Sequence, residues 1–122
     1  MGTFHTDCTV TNILDRSRSL EVANLLVDTG SEHTWIPHRI LESIGITREK
    51  KDIAFVMANG TQITRSVGFA ILRVSSFFTV DEVVFADDGD LLLLGARTLE
   101  GLNLRVDSRL KKLVASGPRP AA

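Results

Sequence analysis

Apolar and polar residues alternate at the beginning of the chain. Phe4, Cys8 and Val10 fall on one side of an extended segment, because successive side chains of a β-strand point to opposite faces. Residues 15–19 are polar and indicate a turn, and residues 20–27 are almost all apolar. The pattern predicts a first strand with one buried face, a turn, and a second, mostly apolar strand.

Two short helices are predicted between the strand-like segments. Pro37 suits the first position of a helix, since its ring fixes φ near the helical value, and Gly45 can end that helix. A second short helix over residues 97–102 follows Gly95. The apolar face of the first helix would comprise Ile40, Leu41 and Ile44.

Residues 53–74 contain two strand-like runs on either side of Asn59-Gly60. This dipeptide favours the two-residue hairpin turn in which both central residues have positive φ. We therefore predict a β-hairpin with its tip at residues 57–61. On its residues alone, an ordinary surface hairpin is one of the alternatives. Gly68, in the returning strand, indicates a β-bulge.

The second half of the chain carries further strand patterns. Residues 77–86 predict one long strand, and residues 87–90 form an acidic turn. Residues 104–106 and 110–114 are predicted to be closing strands around a turn. Residues 116–122 are predicted to be a flexible C-terminal tail.

Length and composition fit a single domain over residues 1–115. The full chain has 122 residues, enough for one hydrophobic core and too few for two. Its net charge is −1 and its basic residues are scattered, which argues against nucleic-acid binding. No apolar run reaches the about 18 residues of a membrane span. The lone Cys8 cannot form an intrachain disulfide, which favours a reducing, cytoplasmic location.

The segment Asp28-Thr29-Gly30-Ser31 directly follows the second apolar strand. By itself, a lone Asp-Thr-Gly is compatible with an ordinary turn after a strand. Gly30 permits a tight backbone turn, and the Ser31 hydroxyl is expected to donate a hydrogen bond to the Asp28 carboxylate. The motif occurs once, so chemistry that needs two such carboxylates would need two copies of the chain.

Two segments carry a resemblance to a known family. Residues 28–37, Asp-Thr-Gly-Ser-Glu-His-Thr-Trp-Ile-Pro, are similar to the Asp-Thr-Gly-Ser-x-x-x-Trp-x-Pro segment of pepsin-like enzymes. Residues 91–99, Leu-Leu-Leu-Leu-Gly-Ala-Arg-Thr-Leu, resemble the apolar strand, glycine and short helix that retropepsins place behind the catalytic loop. With its length and single motif, the chain resembles the short retropepsin-like aspartyl proteases of clan AA found in bacteria, over residues 3–115.

This resemblance implies an all-β acid protease barrel with one or two short helices, completed by homodimerisation. It implies an aspartic endopeptidase, in which a water molecule is held between two Asp28 carboxylates that share a proton. The substrate would be a peptide or protein. Residues 3–10 and the closing strands would form much of the dimer interface.

The resemblance also implies roles for single residues. Thr29 would place its hydroxyl so that it bonds across the two-fold axis, and the hairpin would be a flap that closes over bound peptide. No cofactor and no metal are implied. The implied catalytic residues are Asp28, Thr29 and Gly30, and the implied substrate-binding residues are Ser31, Glu32, Met57, Ala58, Asn59, Gly60 and Thr61.

The chain departs from the family pattern at two places. Retropepsins have an arginine after the glycine of the second motif, which braces the catalytic loop, whereas this chain has Ala96 there and Arg97 one residue later. Arg97 is the candidate to reach Glu32. Pepsin-like enzymes pair the tryptophan after the motif with a flap tyrosine, yet this chain contains no tyrosine. An apolar substrate groove is expected to include Ile36, Val56, Ile63 and Leu93.

Three functions remain open on the sequence. The first is the dimeric aspartic endopeptidase. The second is the same fold used for dimerisation or peptide binding without turnover, for which Ala96 and the single flap glycine, Gly60, argue. The third is an unrelated β protein with a fortuitous motif. A metal site of His33 and His38 beside Glu32 is disfavoured, because their spacing matches no metalloprotease pattern.

Overall fold

The computed structural model describes residues 4–121, and the predicted all-β fold with short helices is confirmed. Residues 1–3 of the predicted domain and residue 122 of the predicted tail lie outside the described residues. Neither helix in the described part of the chain has the length and apolar character needed to cross a membrane. The strands are β1 (His5–Thr11), β2 (Ser19–Val27), β3 (Thr34–Pro37), β4 (Lys50–Val56), β5 (Gln62–Val74), β6 (Phe77–Ala86), β7 (Leu93–Leu94), β8 (Leu104–Asp107) and β9 (Lys112–Ala115), and the helices are α1 (His38–Ser43) and α2 (Ala96–Leu102).

Strands β1 to β3 and β5 to β7 close into a barrel. They follow the order β1-β2-β7-β3-β6-β5, and β5 pairs back onto β1. Strand β5 is long enough to serve several partners, since its first half pairs with β4 and residues 71–73 pair with β1. Strand β4 and the first half of β5 therefore form a hairpin that extends beyond the barrel. We call this hairpin, residues 50–67, the flap.

The two-residue strand β7 lies between β2 and β3. It pairs parallel with β2, where Val27 is opposite Leu94, and antiparallel with β3, where Trp35 is opposite Leu93. The chain therefore leaves β2, makes a loop over residues 28–33 and returns as β3 on the other side of β7. We call residues 28–33, which contain the predicted catalytic residues, the catalytic loop.

The core consists of two apolar clusters. Cys8 and Val10 of β1 point into the barrel, as the alternating pattern predicts. Burial raises the pKa of the Cys8 thiol to about 12, so the thiol is protonated at neutral pH and unsuited to nucleophilic attack. The barrel interior also contains Leu25, Ile36, Leu41, Leu72, Phe85 and Leu94, and the smaller cluster beneath the flap contains Trp35, Val67, Val84, Ala86 and Leu93.

The predicted first helix is present but begins one residue late. Pro37 is the last residue of β3 and the N-cap of α1, with φ −52° and ψ 131°, so the prediction that it is the first helical residue is wrong. The extended ψ lets Pro37 complete the β3 pairing with β6. Gly45 follows the helix with φ +76°, which confirms its predicted role in ending it. Leu41 and Ile44 are buried.

The flap has the predicted strands but a different turn. Val56 is opposite Gln62, and the Met57 N–H donates to the Thr61 carbonyl oxygen (2.8 Å). The Gly60 N–H donates back to the Met57 carbonyl oxygen (2.9 Å). Only the glycine of the Asn-Gly pair has positive φ, at +85°. The loop therefore has five residues with a β-turn inside it, and the predicted two-residue turn is wrong.

The predicted bulge at Gly68 is also wrong. The pairing of β5 with β6 runs without interruption through Gly68. The irregularity lies in β4, between Lys50 and Ile53, where Asp52 has φ +57°. Gly68 is required for a different reason, because a Cβ there would overlap the Thr47 carbonyl oxygen.

Strands β8 and β9 form a separate two-stranded sheet. Strand β9 begins at Lys112, so Leu110 belongs to the turn and not to the predicted strand, since Lys111 takes positive φ (+51°) just before β9. After β9, the Ser116 N–H donates to the Asn103 carbonyl oxygen (2.9 Å) at the end of α2. The flexibility of residues 116–122 stays a prediction.

Candidate active site

Asp28 is held by main-chain hydrogen bonds at the end of β2. Its N–H donates to the Leu94 carbonyl oxygen (3.0 Å), just beyond the pairing of β2 with β7. Its Oδ1 accepts the N–H of Gly30 (2.9 Å), and its carbonyl oxygen accepts the N–H of Ser31 (3.3 Å). The turn that follows Asp28 therefore holds the carboxylate, while the residue stays only half-buried.

The three predicted catalytic residues share this one turn. Thr29 and Gly30 are exposed beside Asp28. A Cβ on Gly30 would lie 3.2 Å from Asp28 Oδ1, which is closer than ordinary van der Waals contact. Glycine at this position therefore lets the main-chain N–H approach the carboxylate without crowding it.

Helix α2 holds the second half of the catalytic loop. The N–H of Ala96 donates to the Ser31 carbonyl oxygen (2.7 Å), and the N–H of Arg97 donates to the Glu32 carbonyl oxygen (3.1 Å). Amides in the first turn of a helix have no partner within the helix, so they are free to bind other groups. The second sequence motif thus fixes the first through the backbone.

Gly95 lies so close to the catalytic loop that no side chain fits there. A Cβ would overlap the His33 carbonyl oxygen and would lie 2.7 Å from the Glu32 carbonyl oxygen. Both neighbours are main-chain atoms, which cannot move aside without distorting the loop. The glycine of the second motif is therefore required by this close approach.

A buried chain of hydrogen bonds runs from Gly95 to β6. The Gly95 N–H donates to Thr34 Oγ1 (3.0 Å), which lies 2.6 Å from Thr98 Oγ1. The Thr98 hydroxyl donates to Asp81 Oδ2 (2.8 Å). Since a hydroxyl carries one hydrogen and that of Thr98 is used for Asp81, Thr34 must donate to Thr98. The chain therefore has a single direction and ends on a carboxylate.

Glu82, the neighbour of Asp81, binds three side chains beside the catalytic loop. Its Oε1 accepts from Lys50, and its Oε2 accepts from Arg97 Nη1 (3.0 Å). Oε2 also lies 3.1 Å from His33 Nε2. The hydrogen bonds from Lys50 and then His33 hold the pKa of Glu82 below its usual range, although burial acts in the opposite direction. Glu82 is therefore charged at neutral pH.

The flap touches the segment that follows the catalytic motif. The ring of Phe55 packs edge-on against Trp35, with centroids 5.2 Å apart, and against His33, with centroids 5.4 Å apart. The contact between Trp35 and the flap is therefore apolar, without the hydrogen bond that a tyrosine could make. Met57 is half-buried, and the other predicted tip residues are exposed, namely Ala58, Asn59, Gly60 and Thr61.

A bidentate ion pair anchors the returning strand of the flap. Arg65 Nε and Nη2 donate to the two carboxylate oxygens of Asp90, at 2.8 and 2.9 Å. The Arg65 hydrogen bonds hold the pKa of Asp90 below its usual range. The predicted acidic turn thus joins the flap to the segment that leads into β7.

Two predicted side-chain contacts are wrong. The Ser31 hydroxyl donates to the His33 carbonyl oxygen (3.2 Å) and not to Asp28, because the turn directs the side chain onward along the loop. Arg97 contacts Glu32 only through its main-chain N–H. Its side chain binds Glu82 instead, since that carboxylate is buried and Glu32 is exposed to water.

The expected apolar groove is wrong for two of its four residues. Ile36 is fully buried in the barrel interior, and Leu93 is buried in the cluster with Trp35. Both lie on short central strands that are covered on both faces. Val56 is 73% exposed and Ile63 is half-buried, so a contact of these two residues with substrate stays a prediction.

His33 and His38 do not converge on one site. His33 binds Glu82, and His38 Nδ1 lies 3.1 Å from Glu42 Oε1 on α1. Between residues 4 and 121, no group of three His, Cys, Asp or Glu side chains is placed to hold a metal ion.

Sequence reasoning missed Asp81 and Glu82. A signal was present, because two adjacent acidic residues interrupt the otherwise apolar β6, where a charge is unfavourable unless it is paired. Thr34 and Thr98 were also missed, and both are fully buried. No local pattern distinguishes a threonine that links two segments from one that merely suits a strand or a helix end.

Comparisons with known proteins add to this geometry. No curated protein matches the chain. Residues 21–101 match the family model described as "gag-polyprotein putative aspartyl protease". The matched segment contains the catalytic loop, the flap and the second motif with Gly95. The chain therefore belongs to this family of aspartyl proteases of the retropepsin type.

Proposed function

We propose that the protein is an aspartic endopeptidase that acts as a homodimer. The observation that carries this proposal is the state of Asp28, whose carboxylate accepts the Gly30 N–H in an exposed turn braced by β7 and α2. One catalytic loop supplies one such aspartate, Asp28. Peptide hydrolysis by this mechanism needs two, so a second copy of the chain supplies the other.

In the proposed dimer, the two Asp28 carboxylates face each other across the two-fold axis and hold a water molecule. Carboxylates about 3 Å apart cannot both be ionised, so one of them is protonated. The charged one removes a proton from the water, whose oxygen attacks the peptide carbonyl, while the protonated one donates to the carbonyl oxygen. The resulting tetrahedral intermediate then breaks its C–N bond: the first carboxyl group gives its new proton to the leaving nitrogen, and the second carboxylate takes a proton back from a hydroxyl of the intermediate. Activity is therefore expected to be bell-shaped in pH and maximal below neutrality.

The neighbouring residues have supporting roles in this proposal. Thr29 is exposed beside Asp28, where its hydroxyl is available to the partner's loop, and Gly30 leaves room for the substrate backbone. Ser31, Glu32 and the flap tip at residues 57–61 bind the peptide. The proposed interface comprises β8, β9 and residues 3–10, of which residue 3 lies outside the described part of the chain.

Titration with a statine-type peptide inhibitor tests both the site and the assembly. We expect saturation at one inhibitor per two chains, together with a dimer in sedimentation equilibrium at micromolar protein concentration. Saturation at one inhibitor per chain, or a monomer that persists with inhibitor present, would contradict the proposed dimeric site.

A second candidate function is dimerisation or peptide binding without turnover. The observation that favours it is the side chain of Arg97, which binds Glu82 and so does not brace the loop through Glu32. A dimer that binds the inhibitor, yet cleaves no member of a peptide library between pH 3 and 8, would support this candidate over the peptidase.

A further inference from the structure

We propose that Glu82 is a positioning residue that links the flap to the catalytic loop through one buried carboxylate. Its three partners belong to three separate segments. Lys50 begins the flap strand β4, His33 lies in the catalytic loop, and Arg97 lies in the first turn of α2. Glu82 itself belongs to β6, in the wall of the barrel.

Each partner leads to a part of the proposed active site. Lys50 lies in the same strand as Phe55, which carries the ring contacts of the flap. Arg97 binds Glu82 with its side chain and the Glu32 carbonyl oxygen with its main chain. His33 touches the Phe55 ring and also binds Glu82. The carboxylate is thus the common point between the flap and the loop.

The Glu82 carboxylate needs the ion pairs of this cluster more than Lys50 and Arg97 do. The Glu82 side chain is 10% exposed, whereas those of Lys50 and Arg97 are 50% and 46% exposed. A charge removed from water requires partners, while a half-exposed cation keeps much of its hydration. Replacing Glu82 with a neutral residue therefore releases two cations that water can solvate, and the barrel is expected to remain folded.

The link has a mechanical and a catalytic consequence. A shift of the flap strand changes the position of Lys50 at a carboxylate that also holds Arg97 and His33. A movement that closes the flap over a peptide is therefore transmitted to the catalytic loop through this carboxylate. The catalytic consequence rests on the proposed function, and the mechanical one does not.

Hydrogen exchange of the Glu82→Gln protein tests the mechanical link. Glutamine keeps the shape of the side chain and removes its charge. We expect exchange to accelerate about tenfold in the flap strands and at the Ala96 and Arg97 amides, because hydrogen bonds to a charged group are lost. The matched control is Glu49→Gln, since Glu49 is exposed and makes no ion pair within residues 4–121. This control is expected to leave both regions unchanged.

Single-cation variants separate the two ends of the link. Lys50→Gln is expected to accelerate exchange in the flap only, and Arg97→Gln at the amides of Ala96 and residue 97 only, by about two- to fivefold each. The proposal is overturned if Glu82→Gln leaves either region unchanged. It is equally overturned if all amides accelerate together, including those of residues 68–74 in β5 and those of β6, because that pattern indicates a general loss of stability.

The kinetics of peptide cleavage distinguish positioning from a merely structural role, because a structural role would not change KM and kcat separately. Lys50→Gln is expected to raise KM with kcat unchanged, because the flap binds substrate, and Arg97→Gln to lower kcat with KM unchanged. Glu82→Gln is expected to change both. If all three variants instead lower only the amount of active enzyme, the proposed positioning role of Glu82 is wrong. If the wild-type protein cleaves no peptide, the proposed function fails, and the exchange experiment still decides whether Glu82 links the two regions.

Discussion

The catalytic loop and the flap tip are both connections between strands, yet they are held in different ways. Asp28 and the carbonyl oxygens of Ser31 and Glu32 are hydrogen-bonded to the main chain of residues 94–97. The tip at residues 57–61 hydrogen-bonds within its own turn, and the flap is anchored by side chains of its two strands. A segment held by the backbone of a distant strand keeps one geometry, whereas a hairpin held by side chains of its strands is free to move at its tip.

The largest effect is expected from a substitution that removes the ionisable group of the catalytic loop and keeps the shape of the side chain. In Asp28→Asn, the amide oxygen can still accept the Gly30 N–H, but the ionisable group is gone. We expect peptide cleavage to vanish and dimerisation to persist or strengthen, because two facing carboxylates no longer repel each other. Peptide-library cleavage and sedimentation equilibrium measure the two effects. Cleavage at a rate near that of the wild type, in a preparation free of other proteases, would rule out the aspartic mechanism.

A larger residue at Gly95 should damage the loop far more than one at the flap tip. In Gly95→Ala, the methyl group would overlap the His33 carbonyl oxygen, so we expect the free energy of unfolding to fall by about 3 kcal/mol. The matched control is Gly60→Ala, where the space is open and only positive φ is unfavourable, at about 1 kcal/mol. Urea denaturation measures both. Equal losses would show that the loop is no more tightly built than the flap.

The hydroxyl chain beneath the loop can be broken without changing its shape. In Thr98→Val, Asp81 loses a donor and Thr34 loses an acceptor, and we expect a loss of about 2 kcal/mol in the free energy of unfolding. Thr98→Ser keeps the hydroxyl and removes a methyl group, which corresponds to about 1 kcal/mol. If serine proves as damaging as valine, the hydroxyl chain contributes nothing beyond packing.

A change in the flap strand β4 should loosen the flap and spare the catalytic loop. Phe55→Leu removes the edge-on contacts with Trp35 and His33, which corresponds to about 1 kcal/mol of local stability. Hydrogen exchange at residues 57–61 should accelerate while the Asp28 amide stays protected. Phe78→Leu, at an exposed aromatic residue of β6, is the control. Equal acceleration at Asp28 would mean that the two regions are not separately held.

The smallest effect concerns pH. The pKa of Glu82 is held below its ordinary value of 4.5, chiefly by Lys50, so folding favours the charged form. Its contribution to stability is therefore fully present above about pH 5 and is lost as the pH falls through the lower folded-state value. The difference in unfolding free energy between wild type and Glu82→Gln should shrink on acidification. A difference that grows below pH 4 would contradict the assigned ion pairs.

The sequence patterns correctly predicted several features that depend on residues close together in the chain. The limits of β6, the buried face of β1 and the end of α1 at Gly45 all agree with the structure. The flap turn was predicted wrongly because Asn59-Gly60 suits two turns, and both place the glycine at positive φ. The φ of Asn59 and the pairing of Met57 with Thr61 distinguish the two turns, and the dipeptide alone specifies neither.

The side-chain network could not be predicted, because its members are distant in sequence. Thr34 bonds to Thr98, and His33 binds Glu82, over separations of 64 and 49 residues along the chain. An acidic residue in an apolar strand indicates that a partner exists, but it does not identify the partner. Arg97 is an example of this limit. Glu32 and Glu82 were both possible partners of its side chain, and the side chain binds Glu82, the buried one of the two.

The short strand β7 has a consequence for the order of folding. Asp28 is synthesised well before its hydrogen-bond acceptor, Leu94, which must insert between two strands already made. Such distant pairings form slowly, because the intervening chain must first be brought together. A nascent chain that stops before β7 therefore carries Asp28 without the main-chain acceptor that fixes its turn, and this geometry forms only after β7 and the first turn of α2 have been made.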